Sequence, residues 1–176
     1  MGVDGVFFRM GDQIGYEMTD SEIVSFLQSK GHGVLSLAHE NRGYGLPLSY
    51  AYDEATDRIV FEFITSGKSK REHFLETTEE VTLTVHTYES SEKWESVILT
   101  GSLHPIDPEA VADRAAATFF AHADDVANEL RRSADENVDH DWYELRIDER
   151  SGRHGGTLPH QHEPGLVRFS GYNRTS

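Results

Sequence analysis

The chain has no cysteine, few lysines and no long apolar run. Without cysteine there are no disulfide bonds, no thiol nucleophiles and no zinc sites with thiolate ligands. No apolar stretch approaches the roughly 20 residues that a membrane span requires. The N-terminus also lacks an apolar signal core of the usual length, so we expect a cytoplasmic protein with no membrane partner.

Positive charge is scarce. Lys and Arg number 16 against 31 Asp and Glu, only four of the 16 cations are lysines, and the formal net charge is -15. An acidic surface field repels nucleic-acid phosphates, so we expect no nucleic-acid partner. Many acids with little lysine also suit a protein dissolved in concentrated salt, which screens self-repulsion, and a halophilic source is therefore a hypothesis.

A chain of 176 residues is most simply one domain with a sizeable core. We expect three parts. Residues 1–17 are predicted to be a loosely held N-terminal extension. Residues 18–153 carry the regular patterns of a folded domain, and residues 154–176 are rich in Gly and His and predict an irregular tail.

The domain is predicted to contain six strands and three helices. A capping box of Thr19 and Glu22 opens the first helix, which ends near Lys30 and Gly31. The other helices are predicted over 69–77 and 107–132, and the strands over 33–39, 46–52, 59–64, 81–87, 94–103 and 142–148. Because antiparallel meanders dominate and no βαβ unit repeats, we expect a mainly β fold, a small six-stranded antiparallel barrel flanked by helices.

Two residues, Pro47 and Gly101, restrict how these strands can pair. Pro47 has no N–H to donate to a ladder, so its nitrogen must face a sheet edge, a bulge or a ligand. Its strand is predicted to turn Leu46, Leu48, Tyr50 and Tyr52 to one face and Pro47, Ser49 and Ala51 to the other. Gly101 lies within the fifth strand and indicates a bulge or bend there.

The stretch from Phe61 to Arg71 organises the rest of the chain. A strand ends in Thr65-Ser66-Gly67, and Lys68, Lys70 and Arg71 follow at the start of a helix. Backbone N–H groups, the helix dipole and these cations suit a phosphate group. An ordinary surface helix that carries Lys and Arg is an equally good interpretation of the local pattern.

Other chemical signatures are weak. The sequence contains no Walker motif, no Gly-x-Gly-x-x-Gly after a strand and no Gly-x-Ser-x-Gly. His160 and His162 could bind a metal only if the tail were ordered, and we predict no metal site. Trp94 and Ser96, at the start of a strand, could line a planar ligand or cover an interface, while Val97 is expected to pack.

Together these segments resemble the FMN-binding split barrel of the pyridoxamine 5'-phosphate oxidase-like superfamily. The nearest resemblance is to its flavin-nucleotide-binding branch, which includes the nitroimidazole-resistance reductases. The similarity runs from about Thr19 to Arg153. It rests on the order and spacing of the opening helix and five segments: 31–37, 46–53, 61–71, 94–101 and 147–153.

The resemblance implies an obligate homodimer with FMN in two symmetric clefts between the subunits. Carried over by position, Ile64 and Thr65 would touch the flavin or its ribityl chain. Ser69, Lys70 and Arg71 would hold the phosphate, in a turn shaped by Ser66, Gly67 and Lys68. Pro47, Leu48 and Ser49 would run beside the isoalloxazine, and Trp94 and Ser96 would approach from the partner strand.

Two departures from the family pattern affect the expected activity. Gly45 stands where the pyridoxamine phosphate oxidases begin their second-strand flavin motif with arginine, which argues against oxidation of a B6 phosphate. Thr65 stands where nitroimidazole reductases often carry a histidine. We therefore expect a flavoprotein acting on an unidentified small molecule and name no catalytic residue. The alternatives are a split barrel that binds F420 or haem, or a non-enzymatic flavin store or sensor.

Overall fold

The computed structural model describes residues 15–65, 69–107, 115–122 and 139–156. It contains eight strands in one antiparallel sheet: β1 (Tyr16–Glu17), β2 (His32–His39), β3 (Arg42–Ser49), β4 (Ala51–Asp53), β5 (Arg58–Thr65), β6 (Val81–Ser90), β7 (Lys93–Ile106) and β8 (Asp139–His154). Three helices accompany the strands: α1 (Asp20–Ser29), α2 (Lys70–Thr77) and α3 (Ala115–His122). The mainly β antiparallel fold class is confirmed, although two more strands are present than the pattern predicts.

The sheet closes into a barrel because one bent stretch of chain, residues 42–53, supplies the strands at both ends of the strand order. That order is β3-β2-β6-β7-β8-β5-β4, and only Tyr50 separates β3 from β4 along the chain. The first part of the segment pairs with β2 and the last part with β5. The predicted second strand is therefore real but divides at Tyr50. Pro47 lies on β3, an edge of this path, as its missing N–H requires.

Alternating apolar residues fill the barrel, as the strand patterns predict. Leu46 and Leu48 pack against a core that includes Tyr50 and Tyr52, whereas Ala51 belongs to a second small cluster. Strands β2, β5, β6, β7 and β8 contribute the buried residues Leu35, Leu37, Phe61, Phe63, Val81, Leu83, Val85, Val97, Leu99 and Leu145. The second cluster packs Phe119 of α3 against Ala51, Val60 and Trp142.

Helices α1 and α2 begin where the sequence predicts them, although the capping box of α2 was not predicted. Each opens with a complete capping box, Thr19 with Glu22 and Ser69 with Glu72. α1 buries Ile23, Phe26 and Leu27, and α2 buries Phe74. Much of the predicted helix over 107–132 lies outside the described residues. No described helix has the length and apolar character needed to cross a membrane.

The ends of the domain differ from the expected pattern. β1 pairs with the end of β8, with Tyr16 opposite His154 and Glu17 opposite Arg153, so the sheet extends two residues into the predicted N-terminal extension. Residues 1–14 and 157–176 lie outside the described residues. β8 is longer than predicted because a central strand with partners on both sides keeps its polar ends hydrogen-bonded.

The register shift predicted at Gly101 is present between β7 and β8. Thr100 pairs with Glu149 and Gly101 with Ile147, so the extra residue is Asp148 on the facing strand. The bulge reverses the alternation on β8: Leu145 is buried before it and Gly152 after it. A Cβ on Gly101 would lie 1.9 Å from the backbone oxygen of Arg146, closer than any two such atoms can approach.

A buried ion cluster ties the β4–β5 hairpin to β8. The Glu144 carboxylate accepts hydrogen bonds from Arg58 and, at 2.7 Å, from Arg146 Nε. Arg58 Nε also lies 3.4 Å from the buried Asp53 carboxylate. Burial by itself would raise the pKa of Glu144, but hydrogen bonds from Arg146 and Arg58 and the charges of both arginines outweigh it, and this pKa falls below its ordinary value.

Replacing Gly101 with Ala should destabilise the fold at the bulge between β7 and β8. The added methyl must push apart two backbones at the bulge, and we expect a loss of about 1–3 kcal/mol in the free energy of unfolding. Gly43→Ala on β3 is the matched control, because a Cβ there meets no atom within 4 Å. Urea unfolding of both variants tests this, and equal midpoints for the two would contradict the role given to Gly101.

Replacing Glu144 with Gln should weaken the protein at neutral pH by about 1–3 kcal/mol, because Arg58 and Arg146 lose a charged partner. The folded-state pKa of Glu144 is lowered from the ordinary 4.5, so its stabilisation is complete above that value and is lost as the pH falls through the folded pKa. The difference in unfolding free energy from the wild type should therefore shrink in acid. Glu80→Gln, in the exposed turn before β6, is the control, and a pH-independent difference for Glu144→Gln would contradict the assignment.

Candidate functional site

The outward side of five strands forms a face with few charges, which we call the β3–β8 face. One row of paired residues crosses it from Pro47 to Val34, Thr84, Ile98 and Ser151. The residues next to this row, such as Leu35, Val85 and Val97, point into the buried core. Ile98 is 43% exposed, which is unusual for a large aliphatic side chain at the middle of a sheet.

Trp94 and Ser96 lie on the same face, on β7. Ser96 pairs with His86 of β6 and with Arg153 of β8, and Trp94 pairs with Tyr88. Tyr88 is 71% exposed. A shallow groove of about 440 Å³ runs along this end of the face, lined by Thr84, His86, Thr87, Tyr88, Ser91, Trp94, Glu95 and Ser96. The residues predicted to approach a planar ligand therefore border an open groove with aromatic walls.

The Trp94 indole is held in place by two glycines of its own chain. A Cβ on Gly15 would lie 2.6 Å from Trp94 Cζ2, and one on Gly155 would lie 2.7 Å from its Cδ1 and Nε1. Gly155 N also donates to the Trp94 carbonyl oxygen at 2.8 Å. The indole is thus half-buried against the β1–β8 end of the sheet, which shows packing of Trp94, while its contact with a ligand stays a prediction.

The start of α2 is fixed by a reciprocal pair of hydrogen bonds. Ser69 N donates to Glu72 Oε2 at 2.7 Å, and Glu72 N donates to Ser69 Oγ at 3.3 Å. This capping box was missed, although its Ser69-x-x-Glu72 spacing is the usual sequence pattern, because a helix places residues three apart on one side. Ser69 and Lys70 are exposed, and Arg71 and Glu72 are half-buried.

Two cations at the start of α2 lie over aromatic rings of the barrel. Lys70 Nζ is 5.0 Å from the ring centroid of Tyr44 on β3 and 5.7 Å from that of Phe74. Arg71 Cζ is 5.7 Å from the ring centroid of Phe63 on β5. Cation–π contact orients both side chains at the start of α2. The cations needed for a phosphate are therefore present beside β3 and β5, and this donor set suits a phosphate ester.

The structure brings the predicted site residues together in two groups. The first group lies on β3 and at the start of α2: Lys70 contacts Tyr44, which packs against the core as Leu48 does, whereas Pro47 lies on the opposite face of β3. Trp94 and Ser96 form the second group, on β7. Strands β2 and β6 lie between β3 and β7, so these two strands are three strand spacings, or about 14 Å, apart within one chain.

The remaining predicted site residues are placed only in part. The backbones of Ile64 and Thr65 end β5, where they pair with His140 and Asp139. Ser66, Gly67 and Lys68 lie outside the described residues, so their predicted role in the phosphate turn stays a prediction. Leu48 packs against the barrel core, whereas Pro47 beside it is exposed.

Sequence reasoning missed several neighbours of these residues. Tyr44 and Phe63 contact the two cations, and Tyr88 lies opposite Trp94. His73 of α2 packs edge-on against His39 at the end of β2, with ring centroids 5.1 Å apart. No local signal could reveal these contacts because each joins residues from separate elements. Among the described side chains, no group of three or more His, Asp or Glu is placed to hold a metal ion.

Solved structures with this fold are numerous, and the three described next are distant in sequence. A FAD-binding protein from Mesorhizobium loti is 17% identical, with 80% of this chain and 98% of that chain covered and a TM-score of 0.63. A candidate 5-nitroimidazole antibiotic resistance protein from Bacteroides thetaiotaomicron is 15% identical, with 78% and 85% covered and a TM-score of 0.58. A FAD and haem binding protein from Mycobacterium smegmatis is 17% identical, with 78% and 71% covered and a TM-score of 0.57.

Because these sequence identities are only 15% to 17%, the similarity shows that the proteins share a fold. A comparison with curated proteins finds no match. The family model described as pyridoxamine 5'-phosphate oxidase matches residues 19–154, which is most of the chain and includes β3, the start of α2 and the described parts of β7 and β8. The chain therefore belongs to the pyridoxamine 5'-phosphate oxidase family.

Proposed function

We propose that this protein is a homodimeric flavoprotein that binds FMN between its subunits and carries out redox chemistry on a small molecule. Family membership supports a flavin ligand, and similar folds occur in proteins described as FAD-binding. The observation that carries the proposal is the β3–β8 face, which places Pro47 and the Trp94 groove on one open, weakly charged surface.

Separation of the two groups on this face supports a dimer. One chain supplies the cations of α2 and the β3 residues on one side, and Trp94 with Ser96 on the other. Within one chain the strands that carry these groups, β3 and β7, are separated by β2 and β6. A second copy packed on the same face by two-fold symmetry would bring its Trp94 and Ser96 to the first copy's β3 and α2. Burial of Ile98 and Pro47 would then stabilise the interface.

The cations at α2 support a phosphate-bearing flavin. The whole protein carries a net charge of -15, so any anionic ligand needs local positive charge. We propose that Lys70 and Arg71 bind the FMN phosphate, with Ser69, Ser66, Gly67 and Lys68 forming the turn around it. Ile64 and Thr65 would contact the flavin or ribityl chain from the end of β5.

In this proposal the protein positions the cofactor and excludes water. Bound flavin supplies hydride and electron transfer. Pro47, Leu48 and Ser49 would lie along the isoalloxazine, and the Trp94 groove would receive the planar end of the ligand or the substrate. Gly45 and Thr65 stand where better-known activities use arginine and histidine, so neither oxidation of a B6 phosphate nor nitroimidazole reduction is proposed.

Three alternatives keep the same barrel. FAD could replace FMN, since structural neighbours are described as FAD-binding, and one is described as binding FAD and haem. F420 or haem could occupy the same face. A flavin store or sensor would bind the flavin without turnover. The absorption spectrum of the purified protein separates flavin from F420 and haem, and chromatography of the released ligand separates FMN from FAD.

Purified wild-type protein should carry flavin and have the mass of two chains in solution. Ile98→Glu should give a monomer that retains little flavin, because a carboxylate cannot be buried without a partner at the centre of the interface. Ser21→Glu, on an exposed part of α1, adds the same charge elsewhere and should remain dimeric. Light scattering during size-exclusion chromatography, with the flavin absorbance recorded, measures both. A monomeric wild type, or a dimer without any affinity for added flavin, would refute the proposal.

Lys70→Ala and Arg71→Ala should each weaken FMN binding about tenfold or more, because each removes charged hydrogen bonds to the phosphate. Riboflavin, which lacks the phosphate, should bind both variants as it binds the wild type. Lys30→Ala is the matched control, since Lys30 Nζ also lies over an aromatic ring, 5.3 Å from the Phe26 centroid. Fluorescence titration measures the affinities, and unchanged FMN affinity would refute the phosphate assignment.

The acidic composition also supports adaptation to concentrated salt, which we propose as a separate property of the protein. Equal stability in dilute buffer and in molar KCl would refute it. A cytoplasmic location stays a prediction from the sequence.

A further inference from the structure

Two histidines from separate elements meet where α2 lies against the barrel. His39 is the last residue of β2, and His73 lies in the first half of α2. Their ring centroids are 5.1 Å apart, and the planes of the rings are at 85°. His39 is half-buried and His73 is exposed, so solvent and small ions reach the pair.

The fold holds these two rings together. The Thr78 hydroxyl, just after α2, accepts the Ala38 N–H at 3.2 Å, so the end of β2 is hydrogen-bonded to the end of the helix. The buried Phe74 of α2 packs on the Tyr44 ring of β3, with ring centroids 5.2 Å apart. Because the two histidines directly adjoin Ala38 and Phe74 in the chain, these contacts set the backbone positions of both.

The spacing of the rings suits two imidazoles on one metal ion. A ring centroid lies about 3.2 Å from a metal ion bound to one of its nitrogens, since a Zn–N bond is about 2.0–2.1 Å long. Two such rings at a tetrahedral angle have centroids about 5.2 Å apart. The observed 5.1 Å agrees with this value. Ordinary edge-on ring contacts have the same spacing, and only metal binding separates the two.

The charges around the pair permit a bound cation. The chain carries a net charge of -15, and a field of that sign attracts cations. Glu40 Oε1 lies 3.9 Å from Nε2 of the β2 histidine, and Glu76 lies about one turn along α2 from the other histidine. These carboxylates offset the cations Arg42, which pairs with the β2 histidine, and Lys70 at the start of α2.

We propose that His39 and His73 form a binding site for a divalent transition-metal ion that joins β2 to α2. Imidazole nitrogens suit Zn²⁺, Ni²⁺ and Cu²⁺, whereas Mg²⁺ and Ca²⁺ prefer oxygen ligands. The described side chains include no group of three metal-binding residues, so the two histidines bind the ion and water completes its coordination. The site uses none of the residues proposed to bind flavin, and it goes beyond that proposal and does not depend on it.

A metal ion that bridges two elements must stabilise the fold, because the unfolded chain does not hold the two ligands together. With Zn²⁺ at about ten times its dissociation constant, the thermal midpoint of the full-length protein should rise by roughly 3–6 °C. Excess EDTA should reverse the rise. Mg²⁺ at the same concentration should give none, since molar KCl in the buffer screens unspecific attraction of cations to the acidic chain.

His39→Gln and His73→Gln should each lose most of this rise, because one remaining imidazole cannot bridge the two elements. Neither side chain is part of the buried core, so both variants should fold, and their midpoints without metal verify this. The double variant His160→Ala, His162→Ala is the control. It removes the two histidines that are closest together in the sequence and should keep the rise.

The outcomes decide between a metal site and a plain ring contact. If the wild type shows no rise with Zn²⁺, the two rings make an aromatic contact only and the proposal is overturned. A rise that persists in both Gln variants, or one that depends on His160 and His162, overturns it as well, because the stabilising metal then binds elsewhere. A rise that is lost in both Gln variants and kept in the double variant supports the site, whether or not the protein binds flavin.

Discussion

Closure of the sheet at Tyr50 is the constraint on which the other features depend. Tyr50 is fully buried between β3 and β4, its N–H donates to the Gly31 carbonyl oxygen at 2.8 Å, and its hydroxyl donates to the Leu27 carbonyl oxygen at 3.1 Å. These bonds join the bend of the barrel to the end of α1. Burial raises the pKa of the Tyr50 phenol, so this group stays a neutral donor. If the bend opened, β3 would lose its fixed position and the site residues on it would lose theirs.

Closure also decides which surface is left for binding. Once the alternating apolar residues face inward, their neighbours on five strands must face outward together. On β3 and β7 these neighbours are Pro47 and Ile98, which are exposed and uncharged. A protein with so many acidic residues has placed little charge along this row, and a surface of that kind is typical of an interface rather than of a solvated face.

Oppositely charged side chains lie together at two places in the structure, the β4–β5 hairpin and the start of α2. At the β4–β5 hairpin, Arg58 and Arg146 pair with Glu144, whose carboxylate is buried while the Arg146 side chain is exposed. At α2, Lys70 and Arg71 lie over aromatic rings, and the neighbouring Glu72 carboxylate is engaged by Ser69. The first cluster pairs its charges within the chain and ties the hairpin to β8. The second keeps two oriented cations beside an anion.

The sequence by itself determined much of the local structure. It predicted the helices α1 and α2, the cap of α1, the inward residues of the strands, the bulge at Gly101, the family and the position of the cations at the start of α2, because each depends on neighbours a few residues away or on a recognisable order of segments. Only the tertiary structure decided that Trp94 packs on Gly15 and Gly155, that Tyr44 and Phe63 lie under Lys70 and Arg71, and that Trp94 lies on the same face as Pro47. These contacts depend on strand order and register, which long-range hydrogen bonding and core packing fix together, and no local pattern encodes them.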